Sequence, residues 1–286
     1  MLYSKAKTFI ELARPRQWTK NLLVFAVPLA SKDIVEAKVI RNSLITFVCF
    51  TLISASVYIW NDIRDAESDR LHPLKASRPI ARGAVQKKSG IAAMFVLLVS
   101  GMGLSFWLTN NEVLLVLIAY LIIQGAYQKW CRQVVILDLF CISLGFVLRA
   151  ISGGYASEIK VSVWFISVTA SAALFIISSK RYSELISSDN QTIARSVLKS
   201  YTESYLRLIW TCSLSVSIVF YVLWSTENAS AGMSDISRLS VVPFILIMLR
   251  FAMHVDKGRA EEPEKVVLSD FGILALAPIW AAMFLV

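Results

Sequence analysis

Long apolar runs recur along the chain and are separated by short polar segments. A helix that crosses about 30 Å of hydrocarbon needs roughly 20 residues at 1.5 Å per residue. On this measure the pattern predicts nine membrane spans, of which the first and the eighth are short or interrupted. The predicted spans are 22–38, 43–60, 89–108, 112–128, 134–152, 161–179, 206–225, 239–253 and 267–285.

Lipid offers no hydrogen-bond partners to the backbone, so each span is expected to be an α-helix. The predicted fold class is therefore an all-α polytopic membrane protein with about nine transmembrane helices. No repeat of fixed period and no separate soluble segment interrupts the pattern, which predicts a single transmembrane domain over residues 1–286. Two long connections, 61–88 and 180–205, are the expected functional loops.

Composition agrees with a membrane protein. The chain is 56% hydrophobic, only 17% charged and has a mean hydropathy of +0.62, whereas a soluble domain carries about 25% charged residues. These values exclude a water-facing globule, a disordered chain, a collagen, a coiled coil and a disulfide-stapled miniprotein. They also leave no reason to expect nucleic acid as a partner.

The first residues mix apolar and charged side chains over 5–18, which favours a helix lying in the membrane interface. A loose basic tail is the alternative. Because Arg14, Arg16 and Lys20 interrupt the apolar stretch, a cleavable signal peptide is not expected.

The distribution of positive charge predicts the orientation. Of the 29 Lys and Arg residues, 23 fall in segments that share one side of the membrane with the N-terminus, and five fall on the other side. Since cytoplasmic loops carry the excess of Lys and Arg, we expect a bacterial inner-membrane protein whose N-terminus and two long loops face the cytoplasm.

Acidic residues cluster where the second span meets the loop 58–83. If the helix continues past the span, Asn61, Asp65 and Asp69 follow each other at four-residue intervals and share one face, with Asp62 about 100° away. A row of hard oxygen ligands at a helix end suits Mg²⁺ that carries a phosphate or diphosphate. A solvated helix end is the alternative interpretation.

Cations follow the acids directly. Guanidinium groups bind phosphate oxygens at two points, and a lysine acts as a point charge, so phosphate binding is predicted at Lys75, Arg78 and Arg82. Lys20, at the inner end of the first span, is a further phosphate ligand or an interfacial anchor. Tyr58 bounds the substrate or packs in the core.

Three other charged positions have two interpretations each. Arg149 lies in an apolar span, where a guanidinium is costly unless it is paired or faces water; it has a function or it reaches the outer surface. Lys129 holds phosphate or ends a helix. Asp138, near the inner end of the same span as Arg149, caps or pairs there rather than reacts.

The segment N-D-x-x-D-x-x-x-D-R resembles the first Asp-rich motif of the UbiA-type intramembrane prenyltransferase superfamily. The likeness is most specific to its decaprenyl-phosphate phosphoribosyltransferase branch, and it rests on segments that follow one another over nearly the whole chain: ARPRQWTKN (13–21), NDIRDAESDRLHPLKASRPIARG (61–83), GFVLRAISGG (145–154), SKRYSEL (179–185), RLIWT (207–211) and VPFILIMLRFAMHVDKGRAEEPE (242–264).

This resemblance implies a nine-helix bundle with a cytosol-facing cavity and a Mg²⁺-dependent pentosyltransferase. The reaction would transfer 5-phosphoribose from phosphoribosyl pyrophosphate (PRPP) to a polyprenyl phosphate and release pyrophosphate. Catalytic roles would fall to Asn61, Asp62, Asp65 and Asp69, with Asn61 and Asp65 as metal ligands, and PRPP would be bound by Lys20, Tyr58, Lys75, Arg78 and Arg82.

The sequence departs from the superfamily at the second Asp-rich motif. That place reads SSKRYSELISSD (178–189), with Lys180 and Arg181 where acids would be expected. One acidic and one basic site suit two anionic substrates, because a second acidic site would repel a lipid phosphate. Lys180 and Arg181, with Lys129 and Arg149, are therefore predicted to bind the lipid phosphate.

Two rival functions stay open. A polyprenyl diphosphate-dependent aromatic prenyltransferase would share the fold and the first motif. A transporter or flippase would need charges at mid-membrane depth, where Arg149 is the single deep cation of the predicted spans. The product would serve cell-wall biogenesis or another ribosylated lipid, and small residues at 152–154 would allow homo-oligomers within the lipid membrane.

Overall fold

The computed structural model describes residues 8–71, 75–187, 196–230 and 236–284, and every regular element within these ranges is a helix. The main helices are α1 (Ala37–Arg64), α2 (Lys87–Leu108), α3 (Asn111–Lys129), α4 (Leu137–Ala156), α5 (Val163–Ser187), α6 (Glu203–Ser230), α7 (Val241–Asp256), α8 (Pro263–Ser269) and α9 (Phe271–Ala282). The predicted all-α class is confirmed.

Shorter helical segments connect the main ones. Short α-helices cover 8–12, Ala26–Ala30, Ala66–Arg70 and Ile236–Leu239, and 3-10 helices cover Pro15–Phe25, Asp33–Val35, Cys131–Gln133 and Ser196–Ser200. Parts of four predicted segments lie outside the described residues: 5–7 of the interfacial helix, 72–74 of the first loop, 188–195 of the second loop and residue 285 of the last span.

Six helices, α1 to α6, are long and apolar enough to cross a membrane. The pair α8 and α9 would add a seventh span if its 88° bend lies within one crossing. The predicted count of nine is not confirmed. The first predicted span, 22–38, is divided among three short helices, and a positive φ of 65° at Lys32 separates the last two. The eighth coincides with α7, whose 16 residues fall short of the usual crossing length.

The chain forms two compact units. The first contains 1–28, 34–128 and 148–159, and α1 is its central helix. Of the residues in the apolar stretch of α1, 61% are buried, whereas the corresponding share for α2 is 11%. Gly101 of α2 lets that helix lie close to α1, since an added Cβ would stand 2.8 Å from the side chain of Ile53. Large apolar side chains on the outward faces of α2 and α3 are exposed, among them Phe95, Val99 and Ile122.

A buried polar cluster fixes the 3-10 helix Pro15–Phe25 inside the first unit. The amide nitrogen of Asn21 donates to the hydroxyls of Thr51 (3.1 Å) and Ser54 (3.2 Å) on α1. Its amide oxygen accepts a 2.7 Å bond from Nε of Arg149 on α4. A 3-10 run of 11 residues is unusually long, and these bonds stabilise it from the side.

Arg149 does not reach the outer surface, which was one of its two predicted outcomes. The residue is only 4% exposed. Its guanidinium donates to the hydroxyl of Tyr120 (2.9 Å) and lies against the rings of Tyr120 and Phe50, at 4.8 and 5.8 Å from their centroids. Aromatic faces attract a cation, so hydrogen bonds and ring contacts together support this charge inside the unit.

The second unit contains 29–33, 129–147 and 160–286. Its core lies between α5, α6 and α7, where Phe175, Trp210 and Phe251 make edge and tilted ring contacts. Asp270 organises the bend between α8 and α9: it caps α9 through the amide of Ile273 (3.0 Å) and accepts a 2.8 Å hydrogen bond from His254 of α7.

The close packing of α4 on the 3-10 helix gives a prediction. A Cβ at Gly153 would clash with the backbone carbonyl of Val24, which cannot move aside as a flexible side chain would. We expect Gly153→Ala to destabilise the protein by about 1–3 kcal/mol, the usual cost of overpacking, with a matching fall in the thermal unfolding midpoint in detergent. Gly103→Ala is the matched control, because its Cβ would meet nothing within 4 Å. Equal midpoints for both variants would contradict the packing.

Candidate active site

Asn61, Asp65 and Asp69, which we call the acid row, lie at the end of α1 in the first unit. The helix ends at Arg64, Asp65 follows with φ −90° and ψ 4°, and the short helix Ala66–Arg70 resumes directly. Backbone hydrogen bonds from Asp65 to Asn61 (2.9 Å) and from Asp69 to Asp65 (2.8 Å) cross this interruption. The helical spacing that the sequence predicts for the row is therefore kept, with one irregular residue in its middle.

Two of the carboxylates are buried and each contacts an arginine. Asp62 is 1% exposed and Asp69 4% exposed. Nη1 of Arg78 lies 3.2 Å from Oδ1 of Asp62 and 2.6 Å from Oδ2 of Asp69, so one guanidinium bridges both acids. Arg14 adds a second ion pair to Asp62, with its Nε 3.3 Å from Oδ2. The acids and two cations thus form one cluster, which we call the arginine–aspartate cluster: Arg14, Asp62, Asp69 and Arg78.

Beside this cluster, Asn61 has a polar atom that the protein leaves unsatisfied. Its side-chain oxygen is buried and has no hydrogen-bond partner in the part of the chain that the structure describes. A buried oxygen of this kind is expected to bind water, an ion or a ligand. Within the described residues, however, no three His, Cys, Asp or Glu side chains converge into a metal-binding group, since Asp62 and Asp69 are turned to arginines.

The oxygen donors nonetheless fit a hard divalent cation in kind. Asn61 offers its unpartnered amide oxygen, and Asp65, half-exposed at the interruption, offers a carboxylate one helical turn further on. Mg²⁺ takes one or two protein ligands of this type and completes its shell with water and substrate phosphate. A site with few protein ligands is therefore compatible with Mg²⁺, although it would not hold a structural zinc.

The predicted phosphate ligands are only partly brought together. Arg78 joins the acids, and Lys75 begins the turn that leads to it, with a 3.0 Å backbone bond between the two. Arg82 instead pairs with Glu11 (2.7 Å) at an exposed surface, where both side chains are about two-fifths accessible. Lys20 lies half-buried in the 3-10 helix Pro15–Phe25.

Arg14 is the residue of this site that sequence reasoning missed, because it was attributed to an interfacial helix. The helix 8–12 ends before it, and Arg14 adopts φ 52° and ψ 65° immediately ahead of Pro15. Its guanidinium lies 5.5 Å from the ring centroid of Tyr58, on the same helix as Asp62. The signal available in the sequence was the Arg-Pro pair, since a residue before proline leaves the helical region.

The second predicted site, around Lys180 and Arg181, lies in the other unit, where carboxylates accompany the two cations. Arg181 is 1% exposed; its Nε lies 3.1 Å from Asp138 and its Nη1 2.9 Å from Glu184. Asp138 does pair, as predicted, near the N-terminal end of α4. Glu184 contacts Arg181 because it follows that residue by three positions and so lies on the same helical face. The guanidinium of Arg181 is therefore paired with two carboxylates.

Tyr201 completes this buried group. Its hydroxyl donates to Asp138 (2.6 Å) and accepts from the amide of Ile136 (2.8 Å). Burial and the hydrogen bond to Asp138 raise the pKa of Tyr201 above its usual value, so the hydroxyl stays protonated and keeps its donor role. The network ties the 3-10 turn before Tyr201 to the start of α4.

Two lysines predicted to bind the lipid phosphate keep more accessible side chains. The side chain of Lys180 is 30% exposed; its ammonium donates to the carbonyl of Glu261 (2.7 Å) and lies 3.8 Å from Glu184. Lys129, the exposed last residue of α3, holds its ammonium 4.6 Å from the ring centroid of Trp130. Both lysine side chains are therefore more accessible than the enclosed side chain of Arg181.

Comparison with known proteins agrees with this architecture. The model of the UbiA prenyltransferase family matches residues 23–275. Decaprenyl-phosphate phosphoribosyltransferases are similar to this chain: that of Mycolicibacterium smegmatis is 39% identical, covering 95% of this chain and 89% of its own length, and that of Corynebacterium glutamicum is 37% identical, covering 96% and 85%.

Solved structures show the same fold. A UbiA homolog from Archaeoglobus fulgidus bound to GPP and Mg²⁺ superposes with a TM-score of 0.76 at 13% identity, covering 97% of this chain and 98% of that one. Because the family model matches most of the sequence, and because the relatives align over nearly their full lengths, this integral membrane protein belongs to the UbiA prenyltransferase family.

Proposed function

We propose that this transferase moves 5-phosphoribose from PRPP to a polyprenyl phosphate of the decaprenyl type and releases pyrophosphate. The observation that carries the proposal is the arginine–aspartate cluster beside the unpartnered oxygen of Asn61. Carboxylates can bind the metal of a metal-bound diphosphate, and adjacent guanidinium groups can bind its phosphate oxygens and those of a further phosphate. The phosphoribosyltransferase relatives at 37–39% identity support this donor over a prenyl diphosphate.

The chemistry can be assigned to residues of the first unit. Asn61 and Asp65 would hold the divalent cation, with Asp62 and Asp69 in support. Bound there, Mg²⁺ would neutralise the charge that develops on the leaving pyrophosphate. Lys75 and Arg78 would bind phosphate oxygens of the donor, with Lys20 and Arg82 at its margin, while Tyr58 would bound the ribose. Preorganised charge of this kind commonly contributes more to catalysis than any other single effect.

The bond changes need no strong base. An oxygen of the polyprenyl phosphate would attack the anomeric carbon of the ribose, and the bond from that carbon to the pyrophosphate oxygen would break with its electron pair on the leaving group. The nucleophile is already anionic at neutral pH, so no proton has to be removed. Lys180 and Lys129 would bind the lipid phosphate, while Arg149 and Arg181 would stabilise the helices around the sites.

We also infer the membrane arrangement. The N-terminus, the acid row and both functional loops would face the cytoplasm of a bacterial inner membrane, as the excess of Lys and Arg on that side favours. The segments 22–38, 239–253 and 267–285 would complete nine spans together with α1 to α6, and a cavity would open to the cytosol. Homo-oligomers are compatible with this arrangement.

The reaction is tested by mass spectrometry. Purified protein given Mg²⁺, polyprenyl phosphate and PRPP should yield a lipid heavier by one phosphoribosyl group. In a parallel incubation, a prenyl diphosphate and an aromatic acid should yield no prenylated product. The reverse pattern would favour the aromatic prenyltransferase, and flux into proteoliposomes without any product would favour transport.

The metal assignment is tested by Asp65→Asn. Removal of one charged ligand should lower turnover by about a hundredfold, in the range found when metal-site residues are changed, and should leave the thermal unfolding midpoint unchanged because Asp65 is only half-buried. Asp256→Asn, at the exposed end of α7, is the control and should keep full turnover. Unreduced turnover in Asp65→Asn would remove this residue from the site.

The orientation is tested by cysteine labelling of intact cells. Ser77→Cys, exposed in the turn after the acid row, should resist a membrane-impermeant maleimide until the cells are opened. Lys160→Cys, exposed after α4, should be labelled from outside. Labelling of Ser77→Cys in sealed cells would reverse the proposed topology.

A further inference from the structure

The carboxylates that could assist a metal are occupied by the cations that could bind phosphate. Nη1 of Arg78 lies within hydrogen-bond distance of both Asp62 and Asp69, and Arg14 contacts both oxygens of Asp62. Each arginine therefore occupies the position beside the carboxylates that a divalent cation would take. Each aspartate occupies the position beside a guanidinium group that a phosphate oxygen would take. The site is neutralised internally by groups complementary to its ligands.

The backbone conformation of Arg14 is the clearest indication that long-range contacts hold this arrangement. It adopts φ 52°, a left-handed conformation that is strained for a residue with a side chain. In return, its guanidinium reaches Asp62, 48 residues away in the sequence, and faces the ring of Tyr58. The side chain remains 23% exposed and that of Arg78 26% exposed, whereas that of Asp62 is 1% exposed. The arginines are thus the accessible members of the cluster.

We propose that Arg14 is a further substrate-positioning residue, and that Arg14 and Arg78 exchange partners when the donor binds: their guanidinium groups move from Asp62 and Asp69 to phosphate oxygens, which releases the two carboxylates to the divalent cation. This inference rests on the proposed function for the identity of the donor. The exchange itself requires only a diphosphate and a divalent cation.

A consequence separates this exchange from a fixed scaffold. While the donor is absent, the arginines compete with the metal for the carboxylates, so metal binding is weakened. Once phosphate takes the arginines, the competition ends and metal binding tightens. Thermodynamic linkage makes this reciprocal, so each ligand strengthens binding of the other by the same factor. Removing one arginine should therefore shift affinity for metal and for diphosphate in opposite directions.

The experiment uses two separate titrations of the full-length protein in nanodiscs. Mn²⁺ binding without any phosphate is followed by electron paramagnetic resonance, and binding of inorganic pyrophosphate in EDTA is followed by calorimetry. Arg14→Gln and Arg78→Gln should each bind Mn²⁺ about tenfold more tightly and pyrophosphate about tenfold more weakly than the unaltered protein, a factor within the usual range of coupling.

Arg41→Gln is the matched control. Arg41 is exposed on the same helix, about 30 Å from Asp62 along the axis at 1.5 Å per residue, and neither affinity should change in this variant. Weaker binding of both ligands in Arg14→Gln, or no change in either, would overturn the proposal. If Arg14→Gln does not fold, Arg14→Lys decides: its single point charge predicts smaller opposite shifts, and parallel or absent shifts count against the exchange.

The proposal and the function can fail separately. Opposite shifts in a protein that forms no phosphoribosyl lipid from PRPP would support the exchange and reject the proposed donor. A protein that forms this lipid but shows no opposite shifts would keep its function and lose the exchange.

Discussion

The ion pairing at the end of α1 is the constraint on which the site depends. Two aspartates lie buried beside the central helix of the first unit, where an unpaired carboxylate would be costly. Arg14 and Arg78 supply the compensating charge, and loss of one partner from a buried pair typically costs about 3–5 kcal/mol. The same pairing holds three separate parts of the sequence together: the segment before the 3-10 helix, the end of α1 and the turn of the first loop that contains Arg78.

Elsewhere in the first unit, hydrogen bonds centred on the neutral side chain of Asn21 hold the helices together. Asn21 links the 3-10 helix Pro15–Phe25 to α1 and α4, and Gly153 lets α4 approach within backbone contact of that helix. These contacts position the segment that begins just after Arg14. The 3-10 helix thus connects the polar core around Asn21 to the arginine–aspartate cluster. Because the hydrogen bonds of Asn21 hold this helix in place, they also fix the position of its first residue, next to Arg14.

The sequence predicted the features that depend on local pattern. Span-length apolar runs located α1 to α6, and four-residue spacing placed Asn61, Asp65 and Asp69 along one helical path. Features that depend on long-range pairing were less accessible. Nothing in the pattern around Arg14 indicates a contact with Asp62. The basic pair at 180–181 likewise gave no sign that Asp138 would pair with Arg181 and accept a hydrogen bond from Tyr201. The sequence also predicted that the first span is short or interrupted, but it did not locate the break, because hydropathy records apolar residues and not the backbone irregularity at Lys32.

The central claim is that the arginine–aspartate cluster, together with Asn61 and Asp65 beside it, binds the phosphates and metal of the donor. An experimental structure of the protein with PRPP and Mg²⁺ tests it most directly. The account predicts phosphate oxygens within hydrogen-bond distance of Arg14 and Arg78, the cation on the side-chain oxygens of Asn61 and Asp65, and the present 2.6 Å contact between Arg78 and Asp69 broken. Donor density elsewhere in the protein, with this contact intact, would contradict it.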